Sequence, residues 1–165
     1  GAFWAPDLLW TMDIAYEREH ASKKLGEQLT ASLSMRPSEY FDRNCWIGAS
    51  NTRRRELARR HEIGVGNIMW GNDFPHPEGT WPKTRKWLRE AFSDIPVDDT
   101  RRILGLNAAE CYGFDLGTLG PLAERIGPSP EELGQVGQDL GKWEALERAG
   151  RPWVSGVEAP EVPVG

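Results

Sequence analysis

Cysteine is scarce in this sequence, with only Cys45 and Cys111 among 165 residues. The two lie far apart and form no CxxC motif, which argues against a thiolate zinc knuckle and a disulfide-stapled scaffold. A single disulfide between them stays open as an alternative. Two reduced thiols are the simpler interpretation, so we expect a protein of the cytoplasm.

Long apolar runs and surplus positive charge are also missing. Without a long apolar run there is no transmembrane helix, and residues 1–4 lack the basic region of a signal peptide. Lys and Arg number 20 against 25 Asp and Glu, a formal net charge of −5. General nucleic-acid and anionic-membrane binders need the opposite balance, so neither partner is expected. The arginines between 53 and 60 lack interleaved aromatics and indicate a solvated helix face.

Strand signals are few. Short apolar runs end at Ser50 and at Gly71, and helical periodicity lies before, between and after them. This alternation predicts an α/β fold with parallel strands. Two buried parallel strands cannot close a sheet or seal a core, so the sequence reads as part of a domain, or as a domain that needs a partner.

Helical signals cover most of the remaining chain. The periodicity predicts helices at about 6–22 and 52–62, a helical turn from Pro37, and short helices at 98–104 and 107–112. Thr80 can cap a helix whose apolar face takes in Trp81, Trp87, Leu88, Ala91 and Phe92. Beyond 115 we expect a glycine-rich linker at 116–120, a capping box at 129–132, two helices up to about 149, and an extended tail.

The strongest chemical signal follows the second apolar run, where Asp73 and His76 lie on a loop with Pro75 and Pro77. Ligands of α/β folds bind beyond the carboxyl ends of the strands, and an Asp there can coordinate a cation or act as a general base. The prolines stiffen the loop. The structural alternatives are that Asp73 only bonds loop amides and that His76 only caps the loop.

The other two histidines carry less signal. His20 and His61 lie on polar faces of predicted helices, where we expect them to be solvated. None of the three histidines has the His-x-His spacing of a primary metal-ligand pair.

Several segments together resemble one family, the amidohydrolase-2 group of metal-dependent hydrolases and decarboxylases related to aminocarboxymuconate-semialdehyde decarboxylase. Residues 68–76 (IMWGNDFPH) resemble that family's last barrel strand and the loop after it. The other similar segments, in the family's order, are 4–9 (WAPDLL), 37–41 (PSEYF), 45–48 (CWIG), 79–82 (GTWP) and 107–113 (NAAECYG). The resemblance spans residues 1 to about 115.

The resemblance implies the C-terminal part of a (β/α)8 TIM barrel at 1–115, followed by a post-barrel helical and extended tail at 116–165. A whole barrel takes about 250 residues, so the earlier strands are not in this sequence. The family holds a divalent metal with histidines on earlier strands and an Asp on the last. Only the Asp maps here, to Asp73, as metal ligand and general base.

The resemblance therefore implies an incomplete ligand set for zinc or manganese. His76 and Phe74 would line the substrate pocket. The parent enzyme would hydrolyse or non-oxidatively decarboxylate a small carboxylate-bearing substrate, in some members an aromatic one, and the 165-residue chain alone should be inactive. Family members often form homodimers, which an acidic surface does not oppose. The alternative is a non-catalytic half-barrel that assembles with a partner polypeptide.

Overall fold

The computed structural model describes residues 1–22 and 32–135. The helices and strands, in chain order, are α1 (Ala5–Ser22), α2 (Pro37–Asn44), β1 (Ile47–Ser50), α3 (Arg54–Ala58), α4 (Arg60–Ile63), β2 (Ile68–Gly71), α5 (Thr84–Phe92), α6 (Val97–Arg101), α7 (Asn107–Tyr112) and α8 (Leu116–Ile126). No helix in these ranges is long and apolar enough to cross a membrane. The expected helices and extended tail beyond 135 lie outside the described residues.

The two predicted strands form, and they pair in parallel. Ile47 lies opposite Ile68, and the register continues to Ser50 opposite Gly71. One further backbone bond, from Asn51 N to Gly71 O at 3.4 Å, extends the pairing past the strand ends. The α/β class with parallel strands is therefore confirmed, and the carboxyl ends of both strands lie at one edge of the sheet.

The core lies between the sheet and the helices before, between and after its two strands. Its largest fully buried apolar side chains are Phe92, Leu57, Ile68 and Ile103. The predicted apolar face of α5 is confirmed for Leu88, Ala91 and Phe92.

The prediction that the helix begins at Thr80 and buries Trp81 is wrong. The helix starts at Thr84, and 65% of Trp81 is exposed. Pro82 follows Trp81 directly and disfavours helical backbone at the residue before it. Trp81 therefore lies in the loop that precedes α5.

Three helical segments also differ from the sequence-based boundaries. The single helix expected at 52–62 is divided at Arg59, whose φ of −97° and ψ of 11° leave helical geometry. The two short helices expected near 98–112 are joined by a π-helical turn, Arg102–Leu106. The buried Asn107 after this turn donates from Nδ2 to Val65 O at 2.7 Å and Ile68 O at 2.8 Å, which fixes the helix against the start of β2.

The glycine-rich segment after 115 is a helix and not a linker. Asp115 caps α8, because its carboxylate accepts from Gly117 N at 2.9 Å and Thr118 Oγ1 at 2.6 Å. The same two donors lower the pKa of Asp115. Gly117 and Gly120 lie in the first turns of this helix, and because glycine disfavours helix the sequence pattern indicated a linker. The predicted boundary at 115 between barrel and tail stays a prediction.

The hydrogen bonds of the capping box expected at 129–132 are present, but residues 130–134 form a turn and not the expected start of a helix. Ser129 N donates to Glu132 Oε2 at 2.8 Å, and Glu132 N donates to Ser129 Oγ at 3.2 Å. The turn after it is attached to the α5–α6 region, since Gln135 Nε2 donates to Ile95 O at 2.9 Å and to Thr100 Oγ1 at 2.6 Å.

Candidate functional site

Two residues with left-handed backbone mark the carboxyl edge of the sheet. Asn51 follows β1 with a φ of 56°, and Asp73 follows β2 with a φ of 65°. Asn and Asp tolerate this region better than other non-glycine residues, because their short polar side chains bond locally. The chain therefore turns sharply at the end of each strand. This turn brings Asp73 to the edge where α/β proteins bind ligands.

The loop 72–79 is closed by its own backbone. His76 N donates to Asp73 O at 2.8 Å, Gly79 N donates to His76 O at 2.9 Å, and Thr80 N donates to Asn72 O at 3.1 Å. These bonds join the two ends of the loop.

Side chains then attach the loop to its neighbours. Asn51 Nδ2 donates to Glu78 O at 2.8 Å, which ties the loop to the end of β1. Asn72 Nδ2 donates to Thr84 Oγ1 at 2.7 Å, which ties it to the start of α5. The loop that carries Asp73 is therefore held from both sides.

Asp73 and His76 lie side by side on this loop. Asp73 Oδ2 and His76 Nδ1 are 3.8 Å apart, and the side chains keep 40% and 59% of their surface exposed. That separation is longer than a hydrogen bond, so the two facing atoms are not hydrogen-bonded to each other. Glu78 N makes a long 3.4 Å contact with His76 Nδ1, which matches the loop-capping alternative for this histidine. Because both side chains are partly exposed, a ligand can still reach them.

Phe74 lies beside Asp73, and its ring meets that of Trp81. The ring centroids are 5.5 Å apart and the planes form an angle of 70°. Phe74 is 63% exposed. Sequence reasoning selected Phe74 but missed Trp81, which it assigned to the core of a helix. The signal that could have found it is Pro82, since a residue before proline is disfavoured in a helix.

The described residues do not complete a metal site. No group of three or more His, Cys, Asp or Glu side chains converges within 1–22 and 32–135. Asp73 and His76 offer two donors at most, whereas a catalytic zinc takes three protein ligands and a water or substrate. A carboxylate such as that of Asp73 is chemically suited to be one ligand of zinc or manganese, and its assignment to that role stays a prediction.

An open cavity of about 500 Å³ lies elsewhere, between α1, the start of α2 and the α3–α4 region. Its lining includes Asp7 and Arg59 and takes in no residue of the loop 72–79. Arg59 Nη2 lies 2.9 Å from Asp7 Oδ1 and 2.8 Å from Glu62 Oε2. The hydrogen bond from Arg59 lowers the pKa of Asp7, and the two carboxylates raise the pKa of Arg59. Since these charges satisfy one another, we attribute this cavity to helix packing.

Replacing Gly79 by alanine is expected to distort the loop. A Cβ on Gly79 would come within 2.9 Å of His76 O and 3.0 Å of Asn72 O and Asp73 O, all of them backbone atoms. Such overpacking costs about 1–3 kcal/mol, and we expect amide shifts throughout 72–80 in NMR spectra. Gly66→Ala is the matched control, because a Cβ there meets nothing within 4 Å. Equal effects of the two variants would contradict the prediction.

Replacing Asn51 by aspartate is expected to loosen the same loop. The substitution keeps the size of the side chain and the left-handed backbone, but it removes the donor to Glu78 O and places a carboxylate against that carbonyl. One lost hydrogen bond of about 1 kcal/mol corresponds to roughly 5-fold faster hydrogen exchange at the loop amides. Asn44→Asp serves as control, since Asn44 only accepts from Arg43 and would keep that role. Unchanged hydrogen exchange at the amides of His76 and Gly79 would contradict the idea that the hydrogen bond from Asn51 to Glu78 O holds the loop.

A comparison with solved structures shows which fold this chain resembles. The solved structures include a similar one, the crystal structure of 5-carboxyvanillate decarboxylase LigW from Sphingomonas paucimobilis, with a TM-score of 0.52 and 25% identity over 68% of this chain. The match takes in 31% of that chain, so the present sequence spans less than a third of the decarboxylase. A sequence comparison with curated proteins returns no match.

The family assignment rests on a sequence model. The Amidohydro_2 model, described as amidohydrolase, matches residues 22–114, which include both strands, the loop 72–79 and α7. Because this match takes in more than half of the chain, the protein belongs to the amidohydrolase family, whose members are generally metal-dependent.

Proposed function

We propose that this chain forms the C-terminal part of a (β/α)8 barrel, in which β1 and β2 are the last two strands. Residues 1–115 then belong to the barrel, and 116–165 form a post-barrel extension. The parallel pairing of β1 with β2 and the helices between and after them support this arrangement. So does the similarity to a decarboxylase of which the match takes in only 31%. Six more strands are needed to close such a barrel.

The activity that we propose is hydrolysis or non-oxidative decarboxylation of a small carboxylate-bearing substrate. The similarity to a 5-carboxyvanillate decarboxylase favours decarboxylation and an aromatic acid. The observation that carries the proposal is the position of Asp73. Its half-exposed carboxylate lies at the carboxyl edge of the strand pair, on a loop fixed to both neighbours.

The residues of the loop have separate roles in this proposal. Asp73 would supply one ligand to a zinc or manganese ion and would be the base that accepts a proton at its carboxylate. His76, with its imidazole 3.8 Å away, is placed to bond a polar group of the substrate. Phe74 contacts the apolar part of the substrate. The remaining metal ligands come from protein beyond the described residues.

The second candidate is a non-catalytic half-barrel that assembles with a partner polypeptide. Exposed apolar side chains near the start of the chain are compatible with it, because Trp4 and, on α1, Leu8, Trp10 and Met12 are all open to solvent. A surface of this kind usually meets protein. The same surface would be covered in a complete enzyme, so the two candidates differ in chemistry and not in the need for more protein.

The test uses the native protein that carries this sequence, purified from its own host. We expect about one divalent metal per chain by elemental analysis, and release of CO₂ from 5-carboxyvanillate or a related aromatic acid. Release of an amine or alcohol without CO₂ would assign hydrolysis. Protein without metal and without either activity, recovered with a second polypeptide, would overturn the enzyme proposal and favour assembly. The 165-residue chain alone is expected to bind metal weakly and to be inactive.

A further inference from the structure

We propose that Trp81 and Phe74 form a binding corner for a planar aromatic ring, and that Trp81 determines the preference for such a ring over a saturated one. The nature of the ligand, an aromatic acid, rests on the proposed function. The ring preference itself needs neither the metal nor the carboxylate of Asp73, so it can be tested separately.

The two rings meet although they lie seven positions apart in the chain. The bond from Thr80 N to Asn72 O, at 3.1 Å, closes the loop and returns the chain to the end of β2. Phe74 follows one end of this closure and Trp81 follows the other. Each is followed by a proline, which narrows the backbone choices of the aromatic residue before it. The positions of both rings are thus set by the backbone that also positions Asp73.

The angle between the rings defines the shape of the surface that the pair offers to a ligand. At 70° and a centroid separation of 5.5 Å, the pair forms an open corner of two nearly perpendicular aromatic planes. A flat ring can stack on one plane and meet the other edge to face, which are the two favoured aromatic geometries. A puckered saturated ring of the same size cannot stack flat on either plane.

The surroundings of the corner favour a small polar molecule over a protein surface. Phe74 directly follows Asp73 on the loop that also carries His76, and the facing atoms of Asp73 and His76 are 3.8 Å apart and partly exposed. Apolar walls with a few converging polar groups are typical of small-molecule sites. The other exposed aromatic and aliphatic side chains lie mainly on α1 and α8, away from this loop in the chain. We therefore assign the corner to the ring of the ligand and His76 to one of its polar substituents.

The test compares benzoate with cyclohexanecarboxylate, which has the same charge and nearly the same size but is not planar. Binding to the native protein that carries this sequence is followed by the indole NH signal of Trp81 in ¹H–¹⁵N NMR spectra. We expect benzoate to shift this signal and to bind about 5-fold more tightly than the saturated acid, the effect of one aromatic contact. Trp81→Leu should remove the preference, and Trp81→Phe should retain most of it.

Trp10→Leu is the matched control. Trp10 is 67% exposed, like Trp81, but it lies on α1 away from the loop. It should leave both affinities unchanged. Equal binding of the two acids by the unaltered chain, or a preference that survives Trp81→Leu, would overturn the proposal. Asp73→Asn should leave the ring preference intact, so a loss of activity in that variant tests the proposed function alone.

Discussion

Replacing Asp73 by asparagine is expected to lower turnover by the native protein about 1,000-fold, since metal-assisted charge stabilisation is worth several kcal/mol. The substitution removes a negative ligand and a proton acceptor but keeps the size of the side chain. Asparagine also tolerates the φ of 65° at this position. The loss should therefore arise from chemistry and not from misfolding.

The measurement is steady-state CO₂ release or hydrolysis, together with metal content and thermal unfolding of the same samples. Metal content should fall with activity, while the unfolding midpoint stays close to that of the unaltered protein. Asp42→Asn is the control, because Asp42 is exposed and lies outside the site while its substitution makes the same change in charge. Activity within 3-fold of the unaltered protein after Asp73→Asn would remove Asp73 from the mechanism.

Truncation of Phe92 to alanine is expected to have the largest effect on stability. Phe92 is fully buried, and it packs in the core between α5 and the sheet. Removing its ring costs the transfer free energy of the ring and leaves a cavity, in total about 3–5 kcal/mol. That is a large part of the 5–15 kcal/mol by which proteins are usually stable.

Phe74→Ala makes the same chemical change at a position that is 63% exposed. We expect it to change the free energy of unfolding by less than about 1 kcal/mol, as surface substitutions usually do. Urea unfolding of the two variants, followed by circular dichroism, measures both values. Similar losses at the two positions would mean that the ring of Phe74 belongs to the core and not to the site.

The elements that sequence reasoning found have local causes. The apolar repeat of α1 and the apolar runs of β1 and β2 are patterns of residues that are close in the sequence. The Ser129–Glu132 capping box likewise needs only a four-residue pattern. Asp73 was selected because it follows an apolar run and precedes prolines. For these features the near neighbours in the chain decide the local structure.

The features that were missed depend on distant contacts or on competing local signals. Trp81 fitted the helical spacing of α5, but the restriction from Pro82 outweighed that spacing. The break at Arg59 accompanies its bonds to Asp7, which lies far away in the sequence. The helix α8 was hidden by its glycines, although the Asp115 cap was visible. The hydrogen bond from Asn51 to Glu78 O joins two loops across the sheet edge, and no local sequence pattern predicts it.

The left-handed backbone at Asn51 and Asp73 also limits how this edge can diverge during evolution. Most L residues pay about 1–2 kcal/mol there, so neutral drift is confined largely to Gly, Asn and Asp. Glutamate, with a carboxylate of equal charge, would meet a backbone penalty at position 73 before its chemistry could be selected. A mutant library at position 51, selected only for folding, should accordingly return mainly Gly, Asn and Asp.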